Sequence, residues 1–446
     1  MRILLYAPSG FDTIGGGRRV SAELAAAFLD LGHPTVVWTL HPGPTLSATE
    51  SEAVPEHVTG FGPPEGTRSL QHAARKLEKL LAERGVELVL FDSEFSYMEF
   101  RGSIGRRLRW PRGPIRAALI HDQLWNGDPR AMTLQPRGGE AVSLAAALPY
   151  TRIRRSYEVE VERLRSLVGE VARAGPTPLA AWYKRNTVWR GAREARARWR
   201  ATRDIVRRKR AVRELDLIFN LTERARRESA AAYGLSPGRV ACAFGAPISR
   251  DSAPAARDFR RESASEGRKV VLSFARMAPE KYHEITLLAF ARLLADGPDA
   301  VLWLAGQVVD SQRGHLDFLR AAARTLGIED RVRFLGTCSE PEMLALYRSA
   351  DCFICAQPAD FNLSVLAALR AGLPVVVADT YDFPEALRST GLIYSGPATA
   401  ADFAARLRGA LASDASRRND SDLATAFDMR SYARSIVEAA ARLRSA

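Results

Sequence analysis

The sequence predicts an α/β protein of two domains, each built on a parallel β-sheet with helices on both faces. Two stretches, 1–120 and 269–396, alternate short apolar β-branched runs with amphipathic segments, the rhythm of βαβ units. The chain of 446 residues is too long for one ordinary core and suits two domains of about 200 residues each. A hydrophobic content of 46% is enough to bury both.

In the first series, ILLYA (3–7) reads as a strand and is followed by a glycine loop at Gly15-Gly16-Gly17. SAELAAAFLDLG is a helix stopped by Gly32, and TVVWTL is the next strand. ARKLEKLLAERG leads into VELVLFDS, and RAALIHD is a further buried strand ending at His121 and Asp122. Residues 122–214 break the rhythm, becoming helical, tryptophan-bearing and basic, before LDLIFNL (215–221) and its following helix restore it. We therefore place a first domain at 1–247 with a basic insertion at about 122–214, and a Pro-, Ser- and charge-rich linker at 248–268. A second domain spans 269–428, with strands at KVVLSFA, AVLWLA, VRFLG, DCFIC, PVVVA and GLIYS, and a last helix covers 429–446.

No apolar run is long enough for a transmembrane helix, and MRILLYAPSG reads as a buried strand with no cleavage site. Four scattered cysteines exclude a disulfide framework and point to a reducing cytosol. Cys352 and Cys355 have C-x-x-C spacing but sit in an apolar strand pattern without further ligands, so no metal site is expected. The formal charge of +13 favours an anionic partner. Most of it lies between Lys184 and Arg213, where thirteen Lys or Arg face only Glu194 and Asp204, a net +11. Val188, Ala192, Ala195, Trp199, Thr202 and Val206 fall on one helical face there, with arginines over the remainder. Three readings stand for this segment: docking on an anionic membrane surface, packing on the first domain, or holding an acidic acceptor. No recognition motif accompanies the charge, so nucleic acid is not expected.

Two motifs carry the chemistry. FARMAPEK (274–281) follows a predicted strand and presents Arg276 and Lys281 around Pro279. ADFNLSVLAALRAGLPVV (359–376) is a turn, a helix start and the G-x-P-V-V of the next strand. Fixed cations and helix N-terminal amides are the groups a diphosphate needs. Together these motifs resemble the donor half of GT-B nucleotide-sugar glycosyltransferases, family four in particular.

The resemblance implies two Rossmann-like domains facing an interdomain cleft, with the last helix crossing back to the first domain. It also implies transfer of a sugar from a nucleoside diphosphate to an acceptor, possibly a lipid-linked or envelope glycan, retaining and without metal or further cofactor. In its terms Arg276 and Lys281 clamp the diphosphate, and the amides of Asn362, Leu363 and Ser364 hold phosphate. Gly16 and Gly17 permit close approach, and His121 or Asp122 contacts the transferred sugar. The expected place is the cytoplasm, peripherally on the inner membrane face.

One departure is plain. The family pattern EGFGLPVLEAMACGTPVV has two glutamates eight positions apart, contacting sugar hydroxyls and ribose; this chain has Ala359 and Ala367 there. Asp360 adjoins the first vacant position. A second reading is therefore a non-catalytic homologue that serves as a binding or scaffold partner in glycan assembly.

Overall fold

The computed structural model describes residues 1–7, 16–39, 56–59, 70–111, 113–120, 153, 156–169, 206–244, 257–295, 297–308, 313–413 and 427–445. The chain divides into two compact units: Met1–Ala146 with Ala197–Ser249 and Thr425–Ala446, and Ala147–Arg196 with Arg250–Ala424.

The first unit is a seven-stranded sheet of β1 (Ile3–Tyr6), β2 (Thr35–Thr39), β3 (Glu56–Thr59), β4 (Leu88–Phe91), β5 (Ile115–Ile120), β6 (Leu217–Asn220) and β7 (Val240–Cys242). All pairs are parallel, in the order β3-β2-β1-β4-β5-β6-β7. The strands read as near-continuous apolar runs because helices cover both faces, and β1, β2, β4 and β6 are buried along their whole length. Tyr6, Phe91 and Phe100 close the core with ring centroids 5.1–5.2 Å apart. The C-terminal helix Met429–Ser445 belongs to this unit, burying Tyr432, Ala433, Ile436 and Ala440. Arg430 bonds the Asp30 carbonyl at the end of the helix Gly16–Asp30, and Arg444 pairs with Glu87.

The second unit is a six-stranded parallel sheet of β8 (Lys269–Phe274), β9 (Ala300–Ala305), β10 (Val332–Gly336), β11 (Cys352–Cys355), β12 (Val375–Ala378) and β13 (Ile393–Gly396), ordered β10-β9-β8-β11-β12-β13. Cys352 and Cys355 are free and buried within β11. Gly306, directly after β9, has φ +135°, and a Cβ there would lie 2.0 Å from the Ala275 carbonyl oxygen. Only glycine lets the chain leaving β9 approach the end of β8 so closely.

Two placements inside 122–214 differ from the sequence reading. The helix 156–169, expected in the first domain, is part of the second unit. Its Tyr157, Val161, Leu164 and Val168 recur at helical spacing and are buried in one core cluster with Phe290, Leu293, Phe403 and Leu407. Periodicity announces that an apolar stripe needs a partner without saying which domain supplies it.

The second difference lies in the helix 206–212 of the first unit. Val206, read as part of the apolar face, is 62% exposed, whereas Arg208, read among the arginines of the other face, is 6% exposed. The cause is Glu94, fully buried in the first turn of the helix Glu94–Gly102, which pairs with Arg208. A buried carboxylate requires a cation, and that requirement outweighs the apolar pattern. Residues 184–205 lie outside the described residues.

Candidate functional site

In an open parallel sheet, ligands bind beyond the carboxyl ends of the strands where the strand order reverses. In the second unit that point lies between β8 and β11, which pair Cys352 with Val271 and Phe353 with Leu272. The two loops leaving these strands carry FARMAPEK and the turn into the helix Leu363–Arg370.

The first loop is held by its backbone. The Met277 amide donates to the Gln307 carbonyl at 2.9 Å, and the Arg276 carbonyl accepts from the Ala278 amide at 2.8 Å and from His283 Nε2 at 3.0 Å. His283 is buried, and burial, followed by the nearby Lys281 charge, lowers its pKa to about 4 although the Arg276 carbonyl opposes the shift. The ring is thus neutral near pH 7, with its proton on Nε2, because a carbonyl can only accept. Pro279–Lys281 form one 3-10 turn, after which Tyr282 takes a left-handed conformation at φ +54°.

The Arg276 side chain is half exposed and meets Glu280 at 3.1 Å. A surface pair of this kind contributes little, so an incoming phosphate can take the guanidinium from Glu280. Lys281 Nζ donates to Gln357 Oε1 at 2.9 Å. The same oxygen accepts from Asn362 Nδ2 at 3.3 Å. Gln357 therefore joins the cation of the first loop to the helix cap of the second.

At the helix start, Asn362 is the N-cap and its side-chain oxygen accepts from the Ser364 amide at 2.8 Å. One of the three amides expected to hold phosphate is thus engaged by the helix's own cap. Ala359 and Asp360 are braced from the loop after β12: Thr380 Oγ1 donates to the Ala359 carbonyl at 2.8 Å and the Asp382 amide to the Asp360 carbonyl at 2.9 Å. Asp360 is 9% exposed, and Ala367 is 6% exposed within the helix.

The structure brings Arg276, Lys281, Asp360, Asn362, Leu363 and Ser364 onto the two adjacent loops of one unit. Gly16 and Gly17 form the first turn of the helix after β1, in the other unit, where a glycine loop had been expected. Gly15, His121 and Asp122 lie outside the described residues. Among the described residues no group of three or more His, Cys, Asp or Glu is arranged to hold a metal, and no helix is long and apolar enough to cross a membrane.

Sequence reasoning passed over Gln357 and His283. Gln357 is the first polar residue after the apolar run of β11, and His283 directly follows the motif and its left-handed Tyr282. Both positions border a recognised loop, which is the signal that would have found them.

The architecture defines the class: two Rossmann-like parallel sheets, the GT-B fold of nucleotide-sugar transferases. Anabaena HepE, solved in complex with UDP and glucose, matches at a TM-score of 0.61 and 16% identity, over 98% of each chain. Residues 255–425 match the family model described as glycosyl transferases group 1. The mannosylfructose-phosphate synthase of Agrobacterium fabrum is 33% identical over 122 residues, 26% of this chain and 27% of that protein. The D-inositol 3-phosphate glycosyltransferase of Rhodococcus jostii is 30% identical over 192 residues, 41% of this chain and 42% of that protein. The matches thus span between about a quarter and two fifths of those relatives' lengths.

Proposed function

We propose that the protein is a glycosyltransferase that moves a sugar from a nucleoside diphosphate sugar to an acceptor hydroxyl, with retention and without a metal. The observation that carries this reading is the convergence of Arg276, Lys281 and the capped helix start at Asn362 on the loops after β8 and β11, joined through Gln357.

The bond between the anomeric carbon and the leaving phosphate oxygen breaks, and the acceptor oxygen bonds to that carbon on the same face. The acceptor's proton passes to the departing phosphate. Arg276 and Lys281 offset the charge that develops on the diphosphate, and the Asn362 and Leu363 amides supply the helix end that favours an anion. Gly16 and Gly17 admit close approach of the backbone, and His121 or Asp122 contacts the transferred sugar.

Uridine diphosphate is the first nucleotide to try, because HepE binds it. The acceptor class is a glycan or lipid-linked glycan. The basic residues of 184–213 other than the buried, Glu94-paired Arg208 would hold the protein to an anionic membrane at its cytoplasmic face.

The test is calorimetric titration of UDP, GDP, ADP, CDP and TDP into wild type and Arg276→Ala. One nucleotide that binds wild type and is lost in the variant supports the reading and names the donor class. The non-catalytic alternative has Ala359 and Ala367 in its favour, since neither side chain can accept a hydrogen bond from sugar or ribose. Absence of any binding at millimolar nucleotide makes that alternative the better account.

A further inference from the structure

We propose that the helix 156–169 is a strut for the nucleotide site of the second unit and that Tyr157 is its positioning residue. The functional meaning of the strut rests on the reading above, that the loops after β8 and β11 hold a nucleoside diphosphate.

Tyr157 is fully buried and touches both loops. Its hydroxyl donates to the Ala356 carbonyl at 2.7 Å, one residue past the end of β11 and one before Gln357. Its ring lies 4.9 Å from that of Tyr282, at an interplanar angle of 55°. Tyr282 is the residue after Lys281, so a single side chain stands behind both members of the Lys281–Gln357 bond.

The conformation of Tyr282 gives the contact a purpose. At φ +54° a residue with a Cβ sits where glycine is favoured. Such a conformation persists where the surroundings over-determine it, and the Tyr157 ring is a surrounding group that a glycine at this position would not engage. Burial raises the Tyr157 pKa well above its usual value, so the hydroxyl remains a donor throughout the working range.

The helix is itself fixed within the unit. Val161, Leu164 and Val168 lie in the core cluster, and Glu160 Oε1 accepts from the Ala400 amide at the start of the helix Ala400–Ala412 at 3.3 Å. A segment encoded between β5 and β6 of the first unit thereby reaches the back of the candidate site in the second.

The experiment is hydrogen–deuterium exchange on the full-length protein without nucleotide, paired with UDP titration. Tyr157→Phe keeps the ring contact and loses the hydroxyl. It should speed exchange in 356–364 and leave 276–282 as in wild type. Tyr157→Ala should speed exchange in both segments. Val161→Ala, a core truncation on the same helix that leaves Leu164, Val168 and both Tyr157 contacts in place, should speed exchange in both segments far less than Tyr157→Ala does. UDP affinity should fall about three- to tenfold in Tyr157→Phe and by less than that in Val161→Ala.

Equal exchange of the two loops in wild type and Tyr157→Ala overturns the strut, as does an effect of Val161→Ala matching that of Tyr157→Ala. If wild type binds no nucleotide, the exchange pattern still decides the strut, and the nucleotide reading alone fails.

Discussion

Lys281 Nζ donates to Gln357 Oε1 at 2.9 Å across the two loops that leave β8 and β11. The bond fixes where the ammonium sits before any ligand arrives, and Gln357 is in turn held by Asn362 Nδ2 at 3.3 Å. Preorganisation of this kind lowers the cost of ordering a long side chain on binding.

Gln357→Ala is therefore expected to weaken nucleotide binding by about three- to tenfold, the effect of roughly 1 kcal/mol of lost positioning. Gln357→Glu should be worse, because its carboxylate competes with the diphosphate for Lys281. Titration of both variants, with Tm as a control for folding, checks the order.

Gly306→Ala should destabilise the second unit by upward of about 2–3 kcal/mol. The added Cβ would meet the Ala275 carbonyl oxygen at 2.0 Å, and φ is +135° at that position. Backbone cannot yield as a flexible side chain does, so the loop that follows β8 must shift with it. A fall in Tm accompanied by loss of nucleotide affinity is the expected result, measured by thermal melts and calorimetry.

Much of this architecture is legible in the sequence. Apolar runs such as KVVLSF and AVLWLA are strands because parallel strands are buried on both faces, and their alternation with helices defines the two sheets. Arg276 and Lys281 are singled out through the resemblance of FARMAPEK to a family motif, and the structure places both on the segment that leaves β8. The partner of helix 156–169 is not legible, since a stripe of Tyr157, Val161, Leu164 and Val168 fits any apolar surface. Arg208 was misread for a related reason: a helical pattern places arginine outside, and only the three-dimensional position of Glu94 reverses that. Gln357 acquires its role solely from the proximity of two loops 76 residues apart.

The Arg208–Glu94 pair sets a separate expectation. Their side chains are 8% and 0% exposed. Removing one partner of such a pair strands a buried charge, costing about 3–5 kcal/mol, whereas replacing both with apolar side chains is often close to neutral. Arg208→Met should lower stability sharply, and Arg208→Met with Glu94→Met should recover most of the loss in chemical denaturation.

Stability of the second unit should also depend on pH through Glu284. Burial raises its carboxyl pKa from 4.5 to about 7. Between these values the folded state keeps a proton that the unfolded chain releases, so this contribution is complete below about 4.5 and is lost as pH rises through about 7. Glu284→Gln should raise Tm at pH 8, by the equivalent of about 1–3 kcal/mol, and leave it nearly unchanged at pH 4.5. His283 and His315 act in the opposite sense: burial depresses them to about 4 and about 3, so their contribution is full above about 6.5 and lost on acidification. Both histidines are common to wild type and variant, and because His315 Nδ1 lies 3.9 Å from Glu284 Oε1, the Tm difference at the two pH values reads Glu284 together with that contact.

The two alanines in the donor motif yield to a direct experiment. Ala367 is 6% exposed, so Ala367→Glu places a carboxylate where little water reaches it. Without a ligand that burial is uncompensated, and the variant should be less stable than wild type. A nucleotide whose ribose hydroxyls donate to the new carboxylate would supply the missing partner and stabilise only the folded state. The expectation for Ala359→Glu with Ala367→Glu is thus a lowered Tm alone and a larger UDP-induced rise in Tm than wild type shows. If affinity rises and transfer to an acceptor rises with it, the site is a working donor site tuned to weaker ribose contact. Tighter nucleotide binding with no turnover in either protein favours the scaffold reading instead, because the lost carboxylates would then have been only part of what catalysis required.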